Sequence, residues 1–379
     1  MATKSRVVVL GAGFGGLELA TILSDTLGDR VDVVLIDKSD SFVFGFSKLD
    51  LIFSGASPAS VRIPYRTLTK PGVSFRRELV TEIDPAARRV TTDRARYEAD
   101  TLVVALGADY DLDATPGLSE QGHEFYSVAG AERLARVLPT FTHGRAVVGV
   151  CGSPFKCPPA PSEAALLLHD YLGHRGVRKE CTIGLVMPFD LPIPVSPTTS
   201  SALLDAFAER GIEWVPRGTV VRWDARGRSV VLDDGRELGC DLFLGVPKHV
   251  APEVVRASGL CEDGWVPVRP ETLETRYPGV YAIGDVADLD VPKAGMFAEG
   301  AARTVAASVL ADLSGGERPS GYAGAGACYV EFGAGLVGRT DVDFLSGPTP
   351  TARFHTPSTD LAAEKRSGAA ARRGRWFGR

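Results

Sequence analysis

One stretch near the start, RVVVLGAGFGGLELATILSDTLGDRVDVVLID (Arg6 to Asp37), leaves few folds open to the chain. An apolar strand runs into Gly11-x-Gly13-x-x-Gly16, a helix follows with Leu17, Leu19, Ala20 and Leu23, and a second strand ends in Asp37, 21 residues beyond Gly16. Each part has a physical task. Gly11 allows the tight turn, Gly13 lets a pyrophosphate approach the backbone, Gly16 brings helix against strand, and Asp37 accepts from ribose hydroxyls. Phe14, Gly15 and Lys38 complete the candidate contacts. A lone glycine triplet is a weak signal, but one set between strand, helix and a strand ending in an acid reads as a dinucleotide-binding βαβ unit.

Which dinucleotide is decided farther along. Short strands with turns at Pro85-Ala86 and Thr92-Asp93 precede ADTLVVALGA (Ala99 to Ala108), a buried strand that ends near Ala105 and Gly107. Late in the chain, YPGVYAIGDVAD (Tyr277 to Asp288) is a second buried strand ending in Gly284-Asp285, followed by a helix from about Gly295 to Leu313. This set of motifs resembles the glutathione-reductase-like flavoproteins, and the resemblance implies FAD. Asp285 would then bond the ribityl chain, while Ala294 and the helix start, helped by Lys293, would face the flavin N1 and C2 carbonyl region. No Cys or His precedes His123, so neither residue type can tether the flavin covalently in the first segment, and a dissociable FAD is expected.

The middle segment departs from a second fingerprint. After the strand Ala146 to Val150 the turn reads Cys151-Gly152-Ser153-Pro154-Phe155-Lys156-Cys157-Pro158-Pro159-Ala160-Pro161, and Ala164, Leu167, Leu168 and Tyr171 then mark one helical face. Its four prolines donate no N–H, so a phosphate cradle is not expected here. The next strand, Thr182 to Met187, ends without the acid a nicotinamide ribose would need, which counts against NAD(P)H as donor. What the turn presents is Cys157, close to a helix start and beside Lys156, a setting expected to lower a thiol pKa. A half-buried, inert cysteine is the equally weighted reading. Antiparallel strands with an Asp234-Gly235 hairpin follow, and beyond Gly315-Gly316 Cys328 heads a strand-like run, Tyr329 to Phe332.

These elements predict an α/β chain of two Rossmann-like domains, of the three-layer FAD/NAD(P)-binding type, with a short C-terminal α+β segment. Residues 1–112 and 258–318 form the discontinuous FAD-binding domain, 113–257 the second, and 319–379 the C-terminal segment.

Six cysteines in 379 residues do not suggest a disulfide-stapled secreted domain, and no zinc or haem cysteine motif is present, so no metal site is expected. A formal charge of −5 gives no footprint for nucleic acid. With no apolar run long enough to span a bilayer and no room for a leader before Arg6, a cytoplasmic protein is expected. Its basic end (Lys365, Arg366, Arg372, Arg373, Arg375, Arg379) reads as a solvated tail without a long amphipathic helix. Trp376 and Phe377 among those charges keep open a weak peripheral contact with the inner face of an anionic membrane.

Two further stretches coincide with one family. CPPAPSEAA (Cys157 to Ala165) and ACYVEFG (Ala327 to Gly333) resemble the cysteine motifs of sulfide:quinone oxidoreductases and of the flavoprotein subunit of flavocytochrome c sulfide dehydrogenase. GVPKHVAPEVV (Gly245 to Val255) and RWFG (Arg375 to Gly378) are similar to the same group. The resemblance implies a redox-active Cys157–Cys328 disulfide beside the flavin, a small sulfur donor, and a quinone or other electron carrier as acceptor. Glu163 is then a candidate proton acceptor, its plainer reading being a capping or solvated glutamate. The six-residue step from Cys151 to Cys157 would also permit a local disulfide, and a homodimer stays open. Two other functions compete: an NAD(P)H-dependent flavin reductase of type II NADH dehydrogenase kind, and a non-catalytic flavin and thiol redox sensor.

Overall fold

The computed structural model describes residues 4–319 and 321–378. In chain order, β1 (Ser5–Leu10), α1 (Phe14–Leu27), β2 (Val31–Asp37), α2 (Ser47–Phe53), β3 (Val73–Arg77) and β4 (Thr101–Val104) come first. A second group comprises β5 (His123–Glu124), β6 (Gly144–Val150), α3 (Ala160–His174), β7 (Cys181–Val186), β8 (Ile212–Val215) and β9 (Leu242–Val246). Then come β10 (Val280–Ala282), α4 (Gly295–Ser314), β11 (Ala325–Gly333), β12 (Leu336–Asp343), β13 (Thr351–Ser358) and α5 (Thr359–Phe377).

The first sheet is parallel throughout, in the order β10-β4-β1-β2-β3. Its central strands are apolar at successive positions, Val7, Val8 and Val9 among them, because helices and loops cover both faces. A second parallel sheet, β5-β9-β6-β7-β8, repeats the plan. The two are joined by a short antiparallel pairing of Asp109–Asp111 with Lys248–Val250. The last three strands form an antiparallel sheet, β11-β12-β13, that packs through β11 on α3 and α4. The chain is therefore α/β with two Rossmann-like sheets and an α+β end, as its pattern predicts.

The last segment differs from the solvated tail expected of it. Its residues form the 19-residue helix α5, started by Ser358, whose hydroxyl accepts from Leu361 N. Trp376 and Phe377 are buried completely, in the core shared by α1 and α4. Trp376 Nε1 donates to Glu18 at 2.8 Å, Arg303 meets the same carboxylate at 3.1 Å, Arg375 also pairs with it, and Arg372 holds Glu299 at 2.7 Å. The basic residues thus answer two buried glutamates on α1 and α4, and the aromatic pair has no face left for a membrane. Arg379 lies outside the described residues.

Candidate functional site

Loops at the carboxyl ends of β1, β4 and β10 converge where such sheets bind ligands. Gly11 has φ +102°, and a Cβ there would stand 2.3 Å from Ala105 O. A Cβ at Gly16 would stand 1.9 Å from Gly11 O, so both glycines are set by the turn itself. Gly13 is different: it caps α1 with extended backbone and no side-chain acceptor, and a Cβ there would meet nothing within 4 Å. The first N–H groups of α1 therefore face open space, which suits a pyrophosphate. Gly13→Val should leave the melting temperature within about 2 °C of the native protein's, because no neighbour is displaced, and yet yield colourless protein; absorbance and thermal melts on one preparation check it.

Asp37 ends β2 with Oδ2 accepting from Ala12 N and Oδ1 from Ser39 N, both at 2.8 Å, which fixes its carboxylate at the cradle's rim. Lys38 is exposed, 4.0 Å from Asp109. Phe14 lies under the start of α4, where a Cβ on Gly295 would meet its ring at 2.7 Å, and Gly15 packs on Ile283. The two helix starts are thus neighbours. Gly107, at φ +69°, also opens onto free space.

At the second helix start, Ala294 caps α4 without a side-chain acceptor. Gly284 (φ +74°) turns the chain so that Asp285 is half-buried with no hydrogen-bond donor on its carboxylate among the described residues. Burial raises its pKa, and Lys156, Lys293 and Lys48 oppose the rise. An acid without a partner beside two uncapped helix starts fits the hydroxyls and phosphates of a dinucleotide. The Lys293 ammonium, which borders the same space, is already engaged within the protein. It donates to Asp285 O at 2.6 Å, lies 3.5 Å from the centre of the Trp265 ring, and is pushed down to about 8 by burial.

Both cysteines of interest touch the segment that begins α4. Cys157 N donates to Lys293 O at 2.7 Å, and Cys328 Sγ, on β11, lies 3.0 Å from Met296 Sδ. Both are free thiols. Cys157 has φ +52°, a left-handed conformation that costs a side-chain-bearing residue about 1–2 kcal/mol and is held here by its N–H bond and by Ala160 N on its carbonyl. Cys151 does not join them. It is buried between the second sheet and the meander at residues 220–239, its Sγ on Gly149 O.

The lowered thiol pKa expected of Cys157 is reversed. Its side chain is exposed to the cleft, yet the protein walls around it desolvate the thiolate, and that first, then the nearby Glu163 and Cys328, hold the thiol above its ordinary range. Lys156 does not offset this, because its ammonium turns away to Ala108 O at 3.0 Å and lies 4.4 Å from the centre of the Tyr110 ring. The prolines also strip the start of α3 of donors: Pro159 occupies its cap and Pro161 its first turn. Burial likewise pushes Cys328 up to about 12.

Glu163 is neither solvated nor a cap. Only 3% exposed, it faces both thiols, accepts from Glu331 N at 3.0 Å through Oε1, and is raised to about 7, chiefly by desolvation. Cys328 also lines an apolar cavity of about 340 Å³, walled by Phe155, Phe189, Ile193, Val291 and Phe344. In the sequence its wall is visible only as a proline-rich crossing. Lys48, Tyr126 and Lys365 also surround the thiols, and no motif singles them out. Among the described residues no group of acids, histidines and cysteines could hold a metal, and no helix is long and apolar enough to cross a membrane.

Residues 5–308 match the family described as pyridine nucleotide-disulphide oxidoreductase. The chain is 25% identical over 371 residues to the mitochondrial sulfide:quinone oxidoreductase of Mus musculus, covering 92% of this chain and 80% of that protein. The crystal structure of the sulfide:quinone oxidoreductase from Aquifex aeolicus superposes with a TM-score of 0.87 at 24% identity, covering 96% of this chain and 89% of that one. A type II NADH:quinone oxidoreductase of Staphylococcus epidermidis is 32% identical, but over only 136 residues, 35% of this chain and 34% of that protein.

Proposed function

The chain belongs to the pyridine nucleotide-disulphide oxidoreductase family, and on that footing we propose that it is an FAD-dependent sulfide:quinone oxidoreductase. One observation carries the reading: two cysteines 171 residues apart meet the same short segment, Lys293 to Met296, at the start of α4, with one buried carboxyl facing both. A pair of core cysteines unrelated to catalysis has no reason to share such a place.

The residues divide the work. Gly11, Gly13, Phe14, Gly15, Gly16 and Asp37 would hold the adenosine end and pyrophosphate, with Lys38 outside them; Ala105, Gly107, Gly284, Asp285, Lys293 and Ala294 would border the flavin end. Bound FAD would supply a two-electron acceptor able to return one or two electrons to a quinone. In the oxidised protein Cys157 and Cys328 form a disulfide, sulfide attacks one sulfur, and the other leaves as a thiolate carrying the electron pair. Glu163 takes the proton. Because both thiols are pushed up in pKa, that thiolate leaves more slowly than an exposed one would, but once formed it is a strong electron-pair donor toward an acceptor. The apolar cavity lined by Cys328 has the size and lining for a quinone ring, and we take it as the acceptor's site. A quinone dissolved in a membrane would bring the protein there peripherally, at this cavity's mouth.

Anaerobic sulfide should bleach the flavin of the purified protein within seconds, and a soluble quinone should restore it. NADH should act at least about a hundredfold more slowly, because the proline-filled turn after β6 offers no second cradle. Fast bleaching by NADH with none by sulfide would move the protein to the NAD(P)H-dependent reading.

A further inference from the structure

Glu163 is the innermost of four ionisable side chains brought together from four elements. Glu163 comes from α3, Glu331 from β11, Asp50 from α2 and Lys365 from α5. Three of them are linked: Glu331 N donates to Glu163 Oε1 at 3.0 Å, and Lys365 Nζ meets Glu331 Oε1 at 2.6 Å while lying 4.9 Å from the centre of the Phe46 ring, just ahead of α2; Asp50 stands close enough for the charges of Lys365 and Glu331 to act on its carboxyl. Exposure rises along the series. Glu163 is 3% exposed, the Lys365 and Glu331 side chains are 11% and 21% exposed, and Asp50 stands at the surface.

α5 is locked in register for this contact. Glu364, next to Lys365, accepts from Tyr329 OH and from Arg339, each at 2.6 Å, so the helix cannot slide along the sheet that carries Cys328. Three carboxyls face one ammonium, and a cluster so unbalanced retains a proton on its least solvated member. That member is Glu163. Its other neighbours are Cys157, Cys328 and Tyr126, whose charged forms are anionic, while Lys48 faces Cys157 from α2.

We propose that Glu163, the Glu331–Lys365 pair and Asp50 form a track that carries protons from the thiol site to solvent, with Lys365 of the C-terminal helix as the positioning residue. The proposal rests on the functional reading above. In the step it serves, hydrogen sulfide forms a bond from its sulfur to one cysteine sulfur, the S–S bond breaks, the second cysteine leaves as thiolate with the electron pair, and one S–H proton passes to a Glu163 oxygen. Glu163 must then be emptied before the next turnover. Lys365 keeps it ionisable near neutrality, and Asp50, at the surface, hands the proton to water.

The sign of the pH dependence follows. Below about 7 Glu163 holds its proton and cannot accept another, so the sulfide-bleaching rate should climb as pH rises through that value. Lys365→Met keeps the packing on Phe46 and removes the charge. It should move that limb upward by about one pH unit, a roughly tenfold slower reaction at pH 7, and Lys365→Arg should restore it. A readout independent of turnover is the infrared carboxyl band assigned to Glu163 by its absence in Glu163→Gln, whose titration midpoint should shift by the same amount in Lys365→Met. In Asp50→Asn, proton release to an indicator dye should lag behind flavin bleaching, whereas in the native protein the two keep pace. An unmoved carboxyl midpoint in Lys365→Met, or prompt release in Asp50→Asn, overturns the track. If the native protein is not bleached by sulfide at all, the functional reading falls, and the infrared midpoint still decides whether Lys365 governs Glu163.

Discussion

Replacing Cys157 by glycine should abolish sulfide-driven bleaching of the flavin, by a factor on the order of a thousand or more, and leave the fold at least as stable as before. The two halves of this expectation come from one backbone angle. At φ +52° a cysteine bears a cost of about 1–2 kcal/mol that glycine does not, while glycine's greater freedom in the unfolded chain costs about 0.4–1 kcal/mol. The first term wins or the two cancel. Most substitutions destabilise, so an inactive variant that melts at or above the native temperature would mark Cys157 as kept for chemistry against its local preference. Cys328→Ala should be equally inactive, at the loss of the contact to Met296 and a slightly wider cavity. Sulfide bleaching at more than a tenth of the native rate in either variant would remove the disulfide from the mechanism.

The second large effect lies at the far end of the chain. Trp376→Ala should lower the melting temperature by roughly 10 °C or more and release the flavin on dilution. Trp376 is fully buried against Phe14, Phe42 and Phe44, with ring centres 5.8, 5.5 and 6.1 Å away, and Phe14 belongs to the glycine turn proposed to hold the pyrophosphate. Removing an indole from such a core costs about 3–5 kcal/mol, and Glu18 loses a donor worth about 1–3 more, against a total stability of roughly 5–15. Trp376→Phe separates the terms. It keeps most of the volume and leaves Glu18 to its two arginines, so it should cost about a third as much. A Trp376→Ala protein that melts within 2 °C of the native one and stays yellow through gel filtration would show that the end of the helix is merely docked.

These expectations also mark where the sequence speaks and where it does not. The unit from β1 to Asp37 is legible because everything it needs is local: the period of the apolar residues, glycines at the turn, and an acid at a fixed distance. The missing second cradle is legible for the same reason, since proline withholds its N–H wherever it sits. The thiol pKa is not. A local rule, a helix start with a lysine adjacent, predicts a lowered value, but Lys156 turns to Ala108 while tertiary contacts set Cys157 in a protein-walled cleft beside Glu163. The last helix is harder still. Its charges look like solvated tail residues until Glu18 and Glu299 are known to be buried opposite them, more than 350 and more than 70 residues away along the chain for Trp376 and Arg372 respectively. Lys365 offers no signal at all in one dimension, because its partners come from three other elements.

That last helix has a bearing on how the molecule is made. The aromatic core around the glycine turn is completed by residues 376 and 377, which leave the ribosome after the strands and helices they cover. A nascent chain can therefore build β1, α1 and β2 early but must wait, with Glu18 short of its indole donor and Phe14 uncovered, until those two residues have emerged. Cofactor loading on the first unit alone is disfavoured on these grounds, and a chain stalled before that point would expose its apolar surface to chaperones and proteases.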